Sequence, residues 1–248
     1  MNWENLCDRP PVIKSNAVYW NKLFERTKHT YYTEFLVEFM CVLIIIFYFS
    51  RARKNPKLIF SVVLAMASLL QGLFAEYLTV TNQIFNSFAN HCAILIYIAI
   101  EVTCCLLFIR ASIKSLTAKK IILIEIMLFI FWGTIYWISN YTSWRSLQLI
   151  QIVEGFLIML ACLYYFYESL TQKPDKKKLT NYTFLIISSM LLLFGVISPL
   201  FLFLYFFDQR YKALINSLFI INYLAYALFF TAFAVGILRD KKEPSVIM

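Results

Sequence analysis

An all-α, polytopic membrane bundle of seven transmembrane helices is the fold this sequence predicts, and three observations predict it. The 248-residue chain is 61% hydrophobic and only 15% charged, which leaves too little polar surface to wet a soluble globule of its size. Apolar runs of about 20 residues recur along it, the length a helix needs to cross a bilayer, where a barrel would show alternating segments of about ten. Five Gly and six Pro offer little material for turn-rich β-architecture, and in lipid a helix satisfies each backbone N–H within its own segment.

The segment 1–30 precedes the first apolar run. Within it "SNAVYWNKLFERTKH" sets Ala17, Trp20 and Phe24 at helical spacing. It is read as an extracytoplasmic lead-in, either an amphipathic helix on the outer headgroups or a disordered polar stretch. It lacks the apolar core of a signal peptide. Seven apolar runs follow at about 31–50, 58–78, 91–110, 121–139, 147–170, 181–207 and 215–238. The sixth holds Pro199 in "GVISPLFLF". A proline inside a helix removes a hydrogen bond and crowds the carbonyl one turn back, so a kink or hinge is expected there. The segment 239–248 is the tail.

Basic residues set the direction. "RARKNPK", the turn from Arg110 to Lys120, "QKPDKKK" and the tail "RDKK" together hold 15 of the 23 Lys and Arg residues, all on one side of the predicted bundle. That side is expected to be cytoplasmic, which places the N-terminus outside and the C-terminus inside a bacterial inner membrane. Arg9, Lys14, Lys22, Arg26 and Lys28 in the lead-in pull the other way, but the short loops count individually and outweigh them. The net charge of +9 lies in these loops, not on one face or domain, so membrane lipids are the expected partner and nucleic acid is not.

Given that direction, each intramembrane acid acquires a depth. Glu34 and Glu38 stand one turn apart in the outer half of the first run, Glu76 near the outer end of the second, Glu101 in the middle of the third and Glu154 in the outer half of the fifth. An ionised acid at the centre of a lone helix costs roughly 2.5–3.5 kcal/mol on insertion scales, so Glu101 calls for enclosing neighbours or a task. No Lys or Arg lies mid-span to meet it; Tyr, Asn or a protonated carboxyl are the expected partners. Neutral polar groups follow at helical spacing: Tyr97 one turn before Glu101, Gln148 and Gln151 below Glu154, and Asn222 with Tyr226 on the seventh run. Together they predict a polar cavity opening outward, with Glu38, Glu101, Glu154, Tyr97, Gln151, Asn222 and Tyr226 as ligand- or proton-binding residues and Pro199 as a hinge. Glu125 and Glu168, near the cytoplasmic ends, are expected to snorkel toward the basic loops as ion-pair partners.

Several chemistries are excluded. The last run offers no lysine for a retinal Schiff base. His29 and His91 are the two histidines and neither lies deep, so neither a histidine-held zinc nor an intramembrane Ser–His pair has its ligands or base. No catalytic residue, metal set or cofactor is expected, and the protein is read as a non-enzyme. "FIRASIK" stands where large eukaryotic G-protein-coupled receptors end their third span in an acid–Arg–aromatic triplet, and the seventh run lacks the Asn-Pro-x-x-Tyr turn. Cys41, Cys104, Cys105 and Cys162 sit in apolar runs and are expected to pack as small hydrophobes. Cys7 and Cys92 fall on the outer side, where a disulfide could join them in an oxidising space. His91 is expected at the outer interface as a hydrogen-bonder.

"IYIAIEVTCCLLFIRASI", "LQLIQIVEGFLIMLACLYYFYESL" and "LINSLFIINYLAYALFFTAFAVGILRDKK" carry a resemblance over roughly 93–242. They resemble small standalone seven-transmembrane proteins of Bacteroidota, a group without an assigned activity that is often compared with the sensor modules of membrane kinases. Glu101, Glu154, the "YYFYE" ending at Glu168, Asn216 and Asn222 match that group. The sixth run departs from it, reading "TFLIISS" where an aromatic-Trp-Ile-Asn stretch belongs.

The expected function is that of a receptor-like membrane sensor, binding an unknown small ligand or protons and signalling through a separate protein partner such as a kinase, because the inner loops and tail are too short for a catalytic output domain. A small-molecule or proton-coupled transporter is the alternative, though an odd span count without inverted halves weighs against it. A non-catalytic membrane scaffold subunit is the second alternative.

Overall fold

A computed structural model describes residues 28–49, 56–80, 88–140, 144–171, 182–206 and 212–239. The lead-in before Lys28 with Cys7, most of the basic loops 50–55 and 172–181, and the tail beyond Arg239 lie outside the described residues. Seven helices follow one another: α1 (Lys28–Phe47), α2 (Ile59–Val80), α3 (Phe88–Ser112), α4 (Leu116–Asn140), α5 (Trp144–Thr171), α6 (Tyr182–Phe206) and α7 (Lys212–Arg239). Among the described residues, six stretches are long and apolar enough to cross a membrane: Ile59–Leu78, Phe88–Ser112, Leu116–Asn140, Arg145–Thr171, Tyr182–Phe206 and Ile220–Arg239. The fold is therefore an all-helical, multi-pass membrane architecture.

Most helices outrun the apolar stretches that announced them. Hydropathy marks the part of a helix that meets hydrocarbon, while backbone hydrogen bonding continues into the interfacial turns. A 3-10 turn, Pro56–Leu58, leads into α2. Proline suits that place because its fixed φ fits a helix start and its missing N–H would have had no partner there. Ser61 donates to the Leu58 carbonyl and holds the entry closed.

Neighbours in sequence pack against one another, and α1 also packs along α7, so the helices close into a ring. Inside it, α3 touches α2, α4, α5 and α6. That central place explains why the inward face of α3 is sealed: Ile98, Val102, Cys105, Leu106, Phe108 and Ile109 are inaccessible, while Ile96 remains exposed. Below the level of Glu101, toward the C-terminal end of α3, Phe108 meets Phe233 edge-on at 5.9 Å and Phe233 meets Phe229 at 4.7 Å. These rings fill that half of the bundle with apolar side chains.

By contrast, α4 is peripheral and packs on α3 and α5. It buries Ala118, Ile122, Ile126, Phe129, Gly133 and Trp137, a stripe at three- and four-residue steps, and leaves Ile124, Met127, Leu128, Phe131 and Ile135 exposed on the face available to lipid.

The α3–α4 connection spans only 113–115, and its polar groups are closely accounted for. Ser115 caps α4, its Oγ accepting from the Ala118 N–H at 3.3 Å. Glu168 reaches over from α5, and its two oxygens accept the Lys114 and Ser115 N–H groups, each at 2.8 Å. Arg110 Nε donates to the Lys119 carbonyl at 3.2 Å. Glu168 is therefore not simply a snorkelling ion-pair partner, as its place beside basic loops had predicted. Unpaired backbone donors at a tight turn offer a carboxylate a fixed geometry that flexible lysines do not.

Pro199 lies inside α6, which runs through it as one helix. The proline faces outward, and Gly195, whose carbonyl loses its partner to the proline, is exposed on the same side with open space where a Cβ would stand. The interruption is thus turned away from the bundle. Cys41, Cys104, Cys105 and Cys162 are buried free thiols, and Cys92 is half-buried and free. His91 is buried at the start of α3, deeper in protein contact than an interfacial position implies.

Candidate functional site

Glu101 sits midway along α3, and because α3 occupies the middle of the ring its side chain has no route to lipid. It is 1% exposed. Tyr226 of α7 donates its hydroxyl to Glu101 Oε2 at 3.1 Å. Tyr97, one turn earlier on α3, comes within hydrogen-bonding reach of both Glu101 and Tyr226, so a carboxyl and two phenols form a small network across two helices. Both tyrosines are half-buried.

The second acid arrives from α5. Glu154 is 2% exposed and lies within electrostatic range of Glu101. Its rotation is set by the next residue. A Cβ on Gly155 would collide with Ser198 Oγ and stand 3.2 Å from Ser198 Cβ, so α5 and α6 approach here as closely as glycine permits. With Gly155 pressed on α6, Glu154, one position earlier, turns inward to face α3.

Each carboxyl keeps one oxygen, Oε1, with no hydrogen-bond partner among the described residues. Two more buried oxygens share that condition, Ser198 Oγ on α6 and Asn222 Oδ1 on α7. Asn222 is buried one turn before the half-buried Tyr226 on α7. Basic residues of α3, α5 and α7 are confined to the helix ends, at Arg110, Arg145, Lys212 and Arg239, and α6 has none. A desolvated acid without a cationic neighbour must be held as the neutral acid or be met by a cation from outside the fold.

Of the seven sequence-predicted binding residues, Glu101, Glu154, Tyr97 and Tyr226 come together. Asn222 stands one turn away, and Gln151 is half-buried one turn before Glu154. Glu38 is placed elsewhere. On α1, Val37, Cys41, Ile44 and Tyr48 face the core, and Glu38 lies on the flank of that stripe, its Oε1 2.8 Å from where a Cβ on Gly72 of α2 would be. A recess between α3, α4 and α5 is apolar, lined by Ile98, Ala99, Phe129, Gly133, Thr134 and Ile150, and contains none of the acids. Sequence reasoning missed Ser198 and Gly155. A glycine directly after an intramembrane acid, in a helix otherwise built of bulky side chains, was the available signal for a close crossing.

The chain matches no protein-family model, no curated protein and no solved structure.

Proposed function

We propose that the protein is a receptor-like sensor of the bacterial inner membrane, crossing it seven times with its N-terminus outside. It binds a small ligand or protons at the Glu101–Glu154 centre and signals through a separate membrane or cytoplasmic partner such as a kinase. The observation that carries this reading is the meeting of two carboxyls, 1% and 2% exposed, on adjacent helices with an unpartnered oxygen on each. Acids are an expensive way to glue helices, since neutral polar residues make comparable contacts without the cost of desolvating a charge. Their charge state acts on three helices at once, through the α3–α5 pair and the Tyr226 bond from α7. An occupant shifts such a bundle by its differential affinity for two packings.

A sensor is favoured over a carrier by the apolar filling beyond the acids. Phe108, Phe229, Phe230 and Phe233 fill the half of the bundle toward the C-terminal ends of α3 and α7, so buried aromatic rings lie beyond the centre on that side. The basic residues of the α3–α4 turn favour a cytoplasmic position for that half. The resemblance to standalone seven-transmembrane proteins of Bacteroidota fits the same reading.

The test is infrared difference spectroscopy of the full chain in nanodiscs across pH. A titrating carboxyl C=O signal that disappears in Glu101→Gln and Glu154→Gln is the expected result. Solute flux into proteoliposomes that vanishes in Glu101→Gln would replace the sensor with a carrier. A variant carrying Gln at 38, 101 and 154 that matches the wild type in signal and stability would leave a scaffold.

A further inference from the structure

We propose that the Glu101–Glu154 pair is the binding site of a monovalent alkali cation, with sodium as the first ion to test. The inference rests on the sensor reading and names the occupant of the same centre. Size argues for an ion. Glu101 and Glu154 are 1% and 2% exposed, and the neighbouring core residues Ile98, Val102, Cys105, Ile150 and Ile158 are all inaccessible, so an occupant of organic size is excluded.

Charge argues for a cation, because both acids lie far from the basic residues at the helix ends. Donor chemistry argues for a hard one. The buried unpartnered atoms away from the helix ends are all oxygens, Glu101 Oε1 and Glu154 Oε1 with Ser198 Oγ on α6 and Asn222 Oδ1 on α7, whereas His91 Nε2 and Trp137 Nε1 lie near the ends of α3 and α4. Oxygen-only donors select alkali and alkaline-earth ions over transition metals. Among the described residues no third His, Cys, Asp or Glu joins the two carboxyls to form a metal-sized group, which matches a single positive charge better than a divalent ion. Tyr226 occupies Glu101 Oε2, which leaves Oε1 as the coordinating oxygen and makes the tyrosine its positioning residue.

One cation and one proton together neutralise the pair. Sodium and protons therefore compete, and raising the proton concentration raises the sodium concentration needed for half-occupancy. Binding replaces repulsion between α3 and α5 with a shared contact, which stabilises the folded chain by mass action.

The experiment measures thermal unfolding and the ²³Na NMR linewidth of the full chain in nanodiscs of uncharged lipid. NaCl replaces N-methylglucamine chloride at constant ionic strength, with KCl in parallel. The expected result is a saturable sodium stabilisation whose midpoint moves up at lower pH. Glu154→Gln weakens the apparent affinity about 100-fold and Tyr226→Phe about tenfold, while Glu125→Gln, on the peripheral α4, leaves it unchanged. Should Glu154→Gln fail to fold, Glu154→Asp keeps the charge and shortens the reach, and its midpoint must shift. A wild-type response identical in Glu154→Gln, an unshifted midpoint in Glu154→Asp, or a response that N-methylglucamine reproduces overturns the proposal. A carboxyl infrared signal that titrates and is lost in Glu101→Gln, without any sodium response, removes the cation and leaves the sensor. The absence of both removes both.

Discussion

Glu168 and the Glu101–Glu154 pair put the same functional group to opposite uses in one bundle. At the connection between α3 and α4, Glu168 has an N–H on each oxygen at 2.8 Å and is only half-buried. At the centre, Glu101 and Glu154 are almost wholly buried and each leaves an oxygen unmatched. Burial alone does not distinguish a structural acid from a functional one; satisfaction does. A carboxylate with a backbone N–H on each oxygen already has its partners within the fold. One that the fold desolvates and then leaves half-matched is poised to take a proton or an ion.

That contrast predicts opposite responses to removing the charge. Glu168→Ala, which orphans the Lys114 and Ser115 N–H groups, is expected to destabilise the bundle by about 2–3 kcal/mol, read as a loss in SDS or thermal unfolding in nanodiscs. An unchanged unfolding midpoint would dissolve the distinction. Gly155→Ala, which drives a Cβ into Ser198 Oγ, is expected to cost about 2 kcal/mol through overpacking. The double variant Gly155→Ala/Ser198→Ala should recover part of it, since the hydroxyl is the atom struck. Tyr226→Phe removes one hydrogen bond across α3 and α7, worth about 0.6 kcal/mol in a membrane interior. It should show mainly as a change in the carboxyl infrared signal, with little loss of stability. Smallest of all, Glu154→Gln is expected to leave stability unchanged or to raise it, because an isosteric amide carries no charge to desolvate. A large loss there would make Glu154 a structural acid like Glu168.

Much of the architecture was legible in the chain. Runs such as 58–78 and 91–110 announced helices because a bilayer permits little else, and the stripe Ala118, Ile122, Ile126 and Phe129 is visible as a helical face. Glu101, Glu154, Tyr97 and Tyr226 could be singled out because a polar group in an apolar run is costly wherever it points. Glu38 satisfied the same criterion and went elsewhere. Glu168 looked like a surface acid among lysines and serves to close a turn.

The sequence by itself determined that this protein is helical and built for a membrane, and which polar side chains it must hide there, because hydropathy and backbone hydrogen bonding are local demands that each segment meets alone. Only the tertiary structure decided which acids meet. Partnership depends on rotation and crossing distance: on α3 threading the ring, on Gly155 letting α5 press against Ser198, and on α7 bringing Tyr226 to within 3.1 Å of Glu101. Those are properties of pairs of helices far apart along the chain, and no single stretch of residues encodes them.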